Sequence, residues 1–243
     1  MDLKEIIYKR QSHRDYFQTP VSEETLKKIK EFILTVKPLY SNIKTSSIIV
    51  DNENVSRQFG WKAPHYIGIF SEKKEGYRTN VGFIYQQVDL FIQSIGLGSC
   101  WFGIGKFTPN DEIRKKIPSD EEFVILIGFG KVKSEVYRDK SGFKRKKLDE
   151  ISDTEDLNLE VVRIAPSATN SQPWYFTHVD DYYNVYCRKL DAIRRKLLGN
   201  FNKIDIGIGL AHLYVSNPET FEFFKMDNPE PLKGYYYVGS FKI

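Results

Sequence analysis

The sequence predicts an α+β protein made of two related halves, and three observations lead to this fold class. Apolar residues recur at helical spacing in two segments, near residues 22–33 and 82–95. Short apolar runs typical of strands occupy the stretches around them. The same order of helix and strand patterns begins again after residue 152. We therefore divide the chain into a first half, residues 1–152, and a second, shorter half, residues 153–243.

Start and stop signals mark the helices of the first half. A short helix is predicted over residues 2–9. Ser22 is the predicted N-cap of a second helix, because its hydroxyl can accept a hydrogen bond from a backbone N–H of the first turn. A third, longer helix is predicted from about Gly82 to Ile95, ending at Gly96, a residue type that favours helix termination.

The remaining segments of the first half are strands and one basic crossing. Extended structure is predicted at residues 48–50, 66–70, 99–102 and 123–127. Residues 131–147 hold eight Lys or Arg and two acidic residues, which predicts a solvated crossing segment. The polar and acidic residues 153–158 suit a linker between the halves.

Three pairs of motifs occur in the same order in both halves, which favours a decayed internal repeat. They are Pro38-x-x-x-Asn42 with Pro166-x-x-x-Asn170, 128 residues later; Gly82 with Gly207; and Leu126-Ile127-Gly128 with Tyr237-Val238-Gly239.

Composition excludes several classes of protein. The net charge of +4 is too mild to favour nucleic-acid binding. Cys100 and Cys187 form no Cys-x-x-Cys pair, so a zinc ribbon and a dithiol redox motif are excluded, and two reduced thiols are expected. No apolar run approaches the roughly 18 residues of a membrane span, and no signal peptide is recognised, so we expect a cytoplasmic protein.

Segment 10–14, Arg-Gln-Ser-His-Arg, is the first of three with functional chemistry. Guanidinium groups present fixed donors that match phosphate oxygens, so Arg10, Ser12 and Arg14 are candidates for holding an anion. The alternative is a solvated basic turn, and His13 is expected to be a solvent-facing spacer.

Two further segments combine small residues with polar groups. Residues 165–174 read Ala-Pro-Ser-Ala-Thr-Asn-Ser-Gln-Pro-Trp, and Asn170 and Gln172 can both donate and accept hydrogen bonds. The alternative here is a capped turn leading into a strand. Residues 96–103 contain three glycines, which permit close backbone approach to a ligand or only a helix stop and a turn. The spacing does not fit a dinucleotide fingerprint.

Together these segments resemble the nitroreductase family of FMN-dependent flavoenzymes. The family's Arg-x-Ser-x-Arg, Ala-Pro-Ser-x-x-Asn-x-Gln-Pro-Trp and Gly-Leu-Gly-x-x-Trp-x-Gly elements are matched at residues 10–14, 165–174 and 96–103, and a basic Arg-Lys-Pro-Leu-Glu-Glu-like element is met imperfectly at 145–150. The resemblance implies a nitroreductase-like fold with central, mainly antiparallel sheets flanked by helices.

One departure from the family suggests a fused chain. The Pro-Ser-x-x-Asn element lies about 150 residues after the Arg-x-Ser-x-Arg element, whereas in the usual homodimer it lies close to it and serves the partner's flavin. The first half would supply the phosphate site, and the second would replace the partner subunit. Leu39 and Tyr40, opposite Ser167 and Ala168, are too bulky for flavin approach, so one complete site and one dead site per chain are predicted, in a monomeric pseudo-dimer that could pair further.

The resemblance also implies roles for individual residues. Arg10, Ser12 and Arg145 would hold the FMN phosphate, Arg14 would lie near the N1/O2 edge of the ring, and the backbone of Gly103 would lie near N5. The full set of FMN-binding candidates is Arg10, Gln11, Ser12, Arg14, Gly103, Arg145, Pro166, Ser167, Ala168, Asn170 and Gln172. NADH or NADPH would reduce the flavin, which would then reduce a small acceptor such as a nitroaromatic or a quinone. No protein general acid, nucleic acid, metal or membrane is implied.

Other functions stay open at this point. The reaction could be altered, giving a dehalogenase-like or flavin-handling protein. A binding module could keep the fold without flavin. An anion or nucleic-acid binder using residues 144–147 is disfavoured, because only Phe143 adds an aromatic ring there.

Overall fold

The structure is a computed structural model that describes residues 2–56, 60–139 and 142–243, without the side chains of residues 196–198. Its helices are α1 (Leu3–Ile7), α2 (Glu23–Ile33), α3 (Tyr77–Ser94), α4 (Asp111–Arg114), α5 (Glu160–Arg163) and α6 (Ala192–Ser216). Its strands are β1 (Thr45–Asp51), β2 (Val55–Ser56), β3 (His65–Ser71), β4 (Gly98–Phe102), β5 (Lys106–Phe107), β6 (Glu122–Gly130), β7 (Trp174–Val179), β8 (Tyr182–Arg188), β9 (Glu222–Phe224) and β10 (Tyr235–Lys242).

Two four-stranded sheets form the framework, one in each predicted half. The first has the strand order β1-β3-β6-β4 and the second β7-β8-β10-β9. Every neighbouring pair in both sheets is antiparallel. The predicted fold class, α+β with antiparallel sheets flanked by helices, is confirmed.

Most predicted elements of the first half lie where expected, and one helix is longer. Ser22 caps α2 by accepting a hydrogen bond from the Thr25 backbone, as predicted. The long helix begins at Tyr77 rather than at Gly82, after Gly76 in the left-handed conformation (φ 82°). The periodicity missed this first turn because buried polar residues such as Thr79 and Asn80 interrupt the apolar pattern.

Helices α3 and α6 cross in backbone contact. A Cβ placed on Gly82 would lie 2.1 Å from the Ile204 carbonyl oxygen, and one on Gly207 would lie 2.0 Å from the Thr79 carbonyl oxygen. Only glycine allows two helices to approach so closely. The crossing therefore explains why the sequence has a glycine at the matching point of each half.

The larger of the two hydrophobic clusters formed by the described residues extends through both halves. It joins apolar side chains such as Ile67 of β3, Val88 of α3, Trp174 of β7 and Leu210 of α6. The division at residue 152 therefore separates two sheets but not two cores. Whether the halves are related by duplication stays a prediction.

The turns that the repeat aligns are fastened in the same way. Asn80, two residues before Gly82, accepts hydrogen bonds from the Leu39 and Tyr40 backbones, both at 2.9 Å. Asp205, two residues before Gly207, accepts one from the Ala168 backbone at 3.0 Å. Matching contacts at matching positions support the proposed relation between the halves.

The basic segment 131–147 is only partly solvated. Its lysines 131, 133, 144 and 147 are exposed, whereas Arg138, Arg145 and Lys146 are half-buried. Lys140 and Ser141 lie outside the described residues. The prediction of a solvated crossing therefore holds for one face of the segment, and its other face turns toward the protein.

Candidate functional site

A cavity of about 480 Å³ lies between the two halves. Six of the predicted residues line it, namely Ser12, Arg14, Gly103, Pro166, Ser167 and Ala168. The volume is within the range of small-molecule and cofactor pockets. Segments far apart in the sequence thus meet around one space, and the other five candidates, Arg10, Gln11, Arg145, Asn170 and Gln172, lie outside its lining.

The wall from the first half is built by strand β4 and the N-terminal segment. Ser12 forms a parallel bridge with Ser99, and the His13 backbone donates to the Ser99 carbonyl at 3.0 Å. Cys100, Trp101 and Phe102 of β4 complete this wall. Cys100 is buried, while Trp101 is half-buried.

The prediction for His13 is wrong, because this residue is buried and not a solvent-facing spacer. Its Nε2 lies 2.9 Å from the Val136 carbonyl oxygen, and its ring packs against Gly98. Burial lowers the pKa of His13, so the neutral ring donates to that carbonyl. His13 therefore fastens the N-terminal segment to the basic crossing.

Helix α6 supplies the opposite wall. Phe201, Ile204, Asp205 and Ile208 line the cavity at helical spacing. Asp205 is 3% exposed. Sequence reasoning missed this residue, although a single carboxylate within the apolar stretch Ile204–Leu210 is a signal that could have found it.

The loop at residues 166–172 has a strained backbone. Thr169, Asn170 and Gln172 have φ angles of 53°, 58° and 44°. A β-branched residue such as Thr169 rarely adopts positive φ, and such strain concentrates at functional sites. The loop keeps its small residues Pro166–Ala168 turned to the cavity at this cost.

The other polar residues of the loop bind the basic crossing. Asn170 accepts from Arg145 Nη1 at 2.9 Å and donates to the Lys144 carbonyl at 3.0 Å. Gln172 accepts from the Lys146 backbone at 2.8 Å. The predicted contacts of Arg145, Asn170 and Gln172 with a flavin stay predictions, because these side chains engage one another's segments.

Arg10 is fully buried and belongs to a polar network that reaches the cavity lining through Ser12. Its Nε donates to Asp89 at 3.1 Å, and its Nη2 donates to the hydroxyl of Ser12 at 3.3 Å. Asp89 also accepts from Gln86 and Ser99, at 3.1 and 2.6 Å. The carboxylate fixes the orientation of the guanidinium.

Gln11 is also engaged outside the cavity. Its backbone donates to Gln93 Oε1 at 3.1 Å, and its side chain donates to the Glu135 carbonyl at 2.7 Å. Gln86, which donates to Asp89 in the Arg10 network, accepts a hydrogen bond from the indole N–H of Trp101 at 3.0 Å. The network thus connects Arg10 with the cavity wall.

Four arginines, Arg10, Arg138, Arg145 and Arg163, gather at this end of the site. Burial, together with the smaller effect of the charges of Arg10, Arg138 and Arg163, lowers the pKa of Arg145 to about 10. Only Arg10 and Arg163 have carboxylate partners within the described part of the chain. Such a like-charged cluster attracts an anion.

Two buried nitrogens of this cluster have no hydrogen-bond partner among the described residues. They are Nη1 of Arg10 and Nε of Arg138. A buried donor without a partner is costly, and a phosphate oxygen would satisfy it. The residues present therefore fit the phosphate of a nucleotide cofactor, and Arg138 is a candidate that sequence reasoning missed.

A protein-family comparison matched residues 2–217 to the family described as "Putative TM nitroreductase". The chain belongs to this nitroreductase family. This agrees with the resemblance drawn from the three motifs. Membership of the family indicates an oxidoreductase.

One solved structure supports the same fold, and a second is similar over part of the chain. A nitroreductase-family protein of Thermotoga maritima is similar to the chain with a TM-score of 0.64 and 20% identity, over 99% of this chain and 92% of that one. An FMN-dependent nitroreductase of Clostridium difficile R20291 is 24% identical over 57% of this chain and 93% of its own, with a TM-score of 0.44. No match was found among curated proteins.

The described residues show neither a metal site nor a membrane-spanning helix. Across residues 2–56, 60–139 and 142–243, no three His, Cys, Asp or Glu side chains gather as a metal site would require. None of the helices described has the length and apolar character needed to cross a membrane.

Proposed function

We propose that the protein is an FMN-dependent oxidoreductase that uses NADH or NADPH to reduce small acceptors such as nitroaromatics or quinones. The observation that carries the proposal is the buried Nη1 of Arg10, which has no hydrogen-bond partner among the described residues. The same guanidinium donates through Nη2 to Ser12, which lines the cavity. Membership of the nitroreductase family supports the same conclusion.

The phosphate would be held at the arginine cluster. Arg10, Ser12 and Arg145 are the family's phosphate residues, and Arg138 adds a second unpartnered donor. Each charge-assisted hydrogen bond to the phosphate contributes about 1.5–3 kcal/mol. Asp89 keeps the guanidinium of Arg10 in position for this contact.

The isoalloxazine ring would occupy the cavity. Bound FMN supplies the chemistry, accepting a hydride from the nicotinamide and passing electrons to the acceptor. The backbones of Pro166, Ser167 and Ala168 would lie on one side of the ring, because no larger side chain stands in the way. Arg14 would place a positive charge near the N1/O2 edge, which favours the negative charge of a reduced ring.

Aromatic and apolar side chains would hold the acceptor and exclude water. Trp61, Phe102 and Phe201 line the same cavity and offer aromatic rings on which a nitroaromatic or quinone can stack, and Ile104 adds apolar surface. Asp205 is the buried ionisable side chain of the lining whose role the family resemblance leaves open.

We also propose one flavin per chain, in a monomeric pseudo-dimer. The turn that matches Pro166–Ala168 carries Tyr40, whose ring packs against Gly76 and edge-on against Phe223. At its own turn, this ring fills the space equivalent to the one that Pro166, Ser167 and Ala168 leave open at the cavity. A cytoplasmic location is proposed as well, since the donor is a cytosolic nucleotide and both cysteines are free thiols.

The test is FMN titration of the purified protein, followed by anaerobic addition of NADH or NADPH. We expect one FMN per chain and bleaching of the flavin absorbance by the donor. Arg138→Met should weaken FMN binding at least tenfold, because about 1.4 kcal/mol corresponds to a factor of ten. Arg114→Met, on the exposed face of α4, is the matched control. Failure to bind FMN would refute the proposal, and two FMN per chain would refute the single site.

A further inference from the structure

Asp205 is a carboxyl group inside the cavity that the family resemblance does not assign. It lies on α6, 3% exposed, and forms part of the wall between Ile204 and Ile208. Carboxylates are seldom buried unless they are paired, so its presence requires an explanation.

The hydrogen bonds of Asp205 involve neutral donors. Its Oδ1 accepts from the Ala168 backbone at 3.0 Å, and its Oδ2 accepts from the hydroxyl of Ser171 at 3.4 Å. Within the described part of the chain it has no ion pair. Burial raises its pKa to about 7, although both hydrogen bonds favour the charged form.

Few other titratable groups face this carboxyl. Arg14 from the N-terminal segment and Cys100 from β4 share the cavity with it. Cys187 of β8 lies close enough for the charge of Asp205 to raise its pKa, after the larger effect of burial. Lys203 is on the same helix but exposed. A proton on Asp205 is therefore the principal means of changing the charge at this wall.

Asn80 shows that fastening the loop does not require a carboxylate. It holds the aligned turn through the Leu39 and Tyr40 backbones, both at 2.9 Å, with the oxygen of a neutral amide. At the filled turn the chain has an amide, and at the open cavity it has an ionisable acid. The ionisable group thus stands on the side where a redox-active ring would lie.

We infer that Asp205 is a redox-linked proton acceptor of the site, and this inference rests on the proposed function. A hydride from the nicotinamide adds two electrons and one proton to the ring, which leaves a negative charge on it. That charge disfavours ionised Asp205, so the carboxylate binds one proton from solvent and becomes a neutral acid. In molecules whose Asp205 is ionised, reduction therefore brings a second proton into the cavity.

Linkage gives this inference a measurable form. If reduction favours protonation of Asp205, protonation of Asp205 favours binding of the reduced flavin by the same factor. The contribution of Asp205 to the protein's preference for reduced over oxidised FMN should therefore fall as the pH rises through 7. Asp205→Asn keeps an oxygen for the Ala168 N–H but cannot ionise, so it should lose this pH dependence.

The experiment measures the midpoint potential of bound FMN in the natural protein and in Asp205→Asn at pH values between 6 and 8. Because free reduced FMN itself takes up a proton near neutral pH, the variant and not free FMN is the reference. The ratio of affinities for reduced and oxidised FMN in the natural protein, divided by the same ratio in Asp205→Asn, should be near one at the low end of this range and fall about five- to tenfold toward its high end. Asn80→Asp, which adds an acid at the matching turn, should follow the natural protein.

The structural contribution of Asp205 is separated by a second variant. Asp205→Ala should weaken binding of oxidised FMN, whereas Asp205→Asn should restore it, because only the latter keeps the hydrogen bond to the loop. If Asp205→Asn does not fold, infrared difference spectra of the natural protein decide the question. Reduction should then produce a new band of a protonated carboxyl group.

The outcomes distinguish the two proposals. Parallel pH curves for the natural protein and Asp205→Asn, or the lack of a new carboxyl band on reduction, would overturn the role of Asp205 while leaving the flavoenzyme intact. A protein that binds no FMN would overturn both.

Discussion

The buried pair between Arg10 and Asp89 makes a strong demand on stability. Both side chains are at most 1% exposed, and the carboxylate accepts three hydrogen bonds, from Arg10, Gln86 and Ser99. Replacing Asp89 by Leu would leave the Arg10 charge buried and uncompensated. Breaking such a pair costs about 3–5 kcal/mol. Since a domain is stable by only about 5–15 kcal/mol, this variant should lose about a fifth or more of its stability.

Urea unfolding of the flavin-free protein, followed by tryptophan fluorescence, measures this loss without the contribution of bound ligand. The double variant Arg10→Met/Asp89→Leu should recover part of it, because neither charge then remains buried. Glu24→Ala removes the exposed pair with Lys28 and should leave the free energy of unfolding unchanged within error. A loss below about 1 kcal/mol for Asp89→Leu, or a double variant as unstable as the sum of the single ones, would refute the reasoning.

Three further predictions follow from the fold. Gly82→Ala on α3 should lower the free energy of unfolding by about 1–3 kcal/mol, because the new Cβ would lie 2.1 Å from the Ile204 carbonyl oxygen. The control Gly199→Ala, on α6, should not lower it. Thr169→Gly should raise the thermal midpoint by removing strain of about 1 kcal/mol or more, and an unchanged midpoint would contradict this. Burial lowers the pKa of His212 to about 3, below its ordinary 6.5, so its contribution to stability is present above pH 6.5 and is lost as the pH falls toward 3. His212→Gln should flatten that part of the pH–stability curve, and a curve of unchanged slope would show that another group is responsible.

Much of the fold could be predicted from local patterns. Ser22 and Gly96 mark helix ends that the structure confirms, because capping depends on neighbouring residues alone. The strands at residues 66–70 and 123–127 were recognised from continuous apolar runs. The start of α3 could not be found in this way, since its buried polar residues have partners that are distant in the sequence.

The motifs predict part of the site, and the residues that they miss are those that belong to no motif. Ser12, Arg14 and Ser167 line the cavity as expected. Arg138 and Asp205 lie outside any motif, and their importance depends on burial and on neighbours that only the fold brings together. The burial of His13 also depends on the fold, because the Val136 carbonyl that accepts its hydrogen bond is 123 residues away in the sequence.

The contrast between Tyr40 and Ala168 bears on how such a chain can evolve. In an assembly of two identical subunits, every substitution is made twice, so a gain at one flavin site is tied to the same change at the other. Here both turns are encoded once each, in a single gene product, and each can vary while its counterpart stays constant. Under the proposed duplication, one turn was free to acquire the aromatic ring of Tyr40, and the other to keep the small residues that line the cavity.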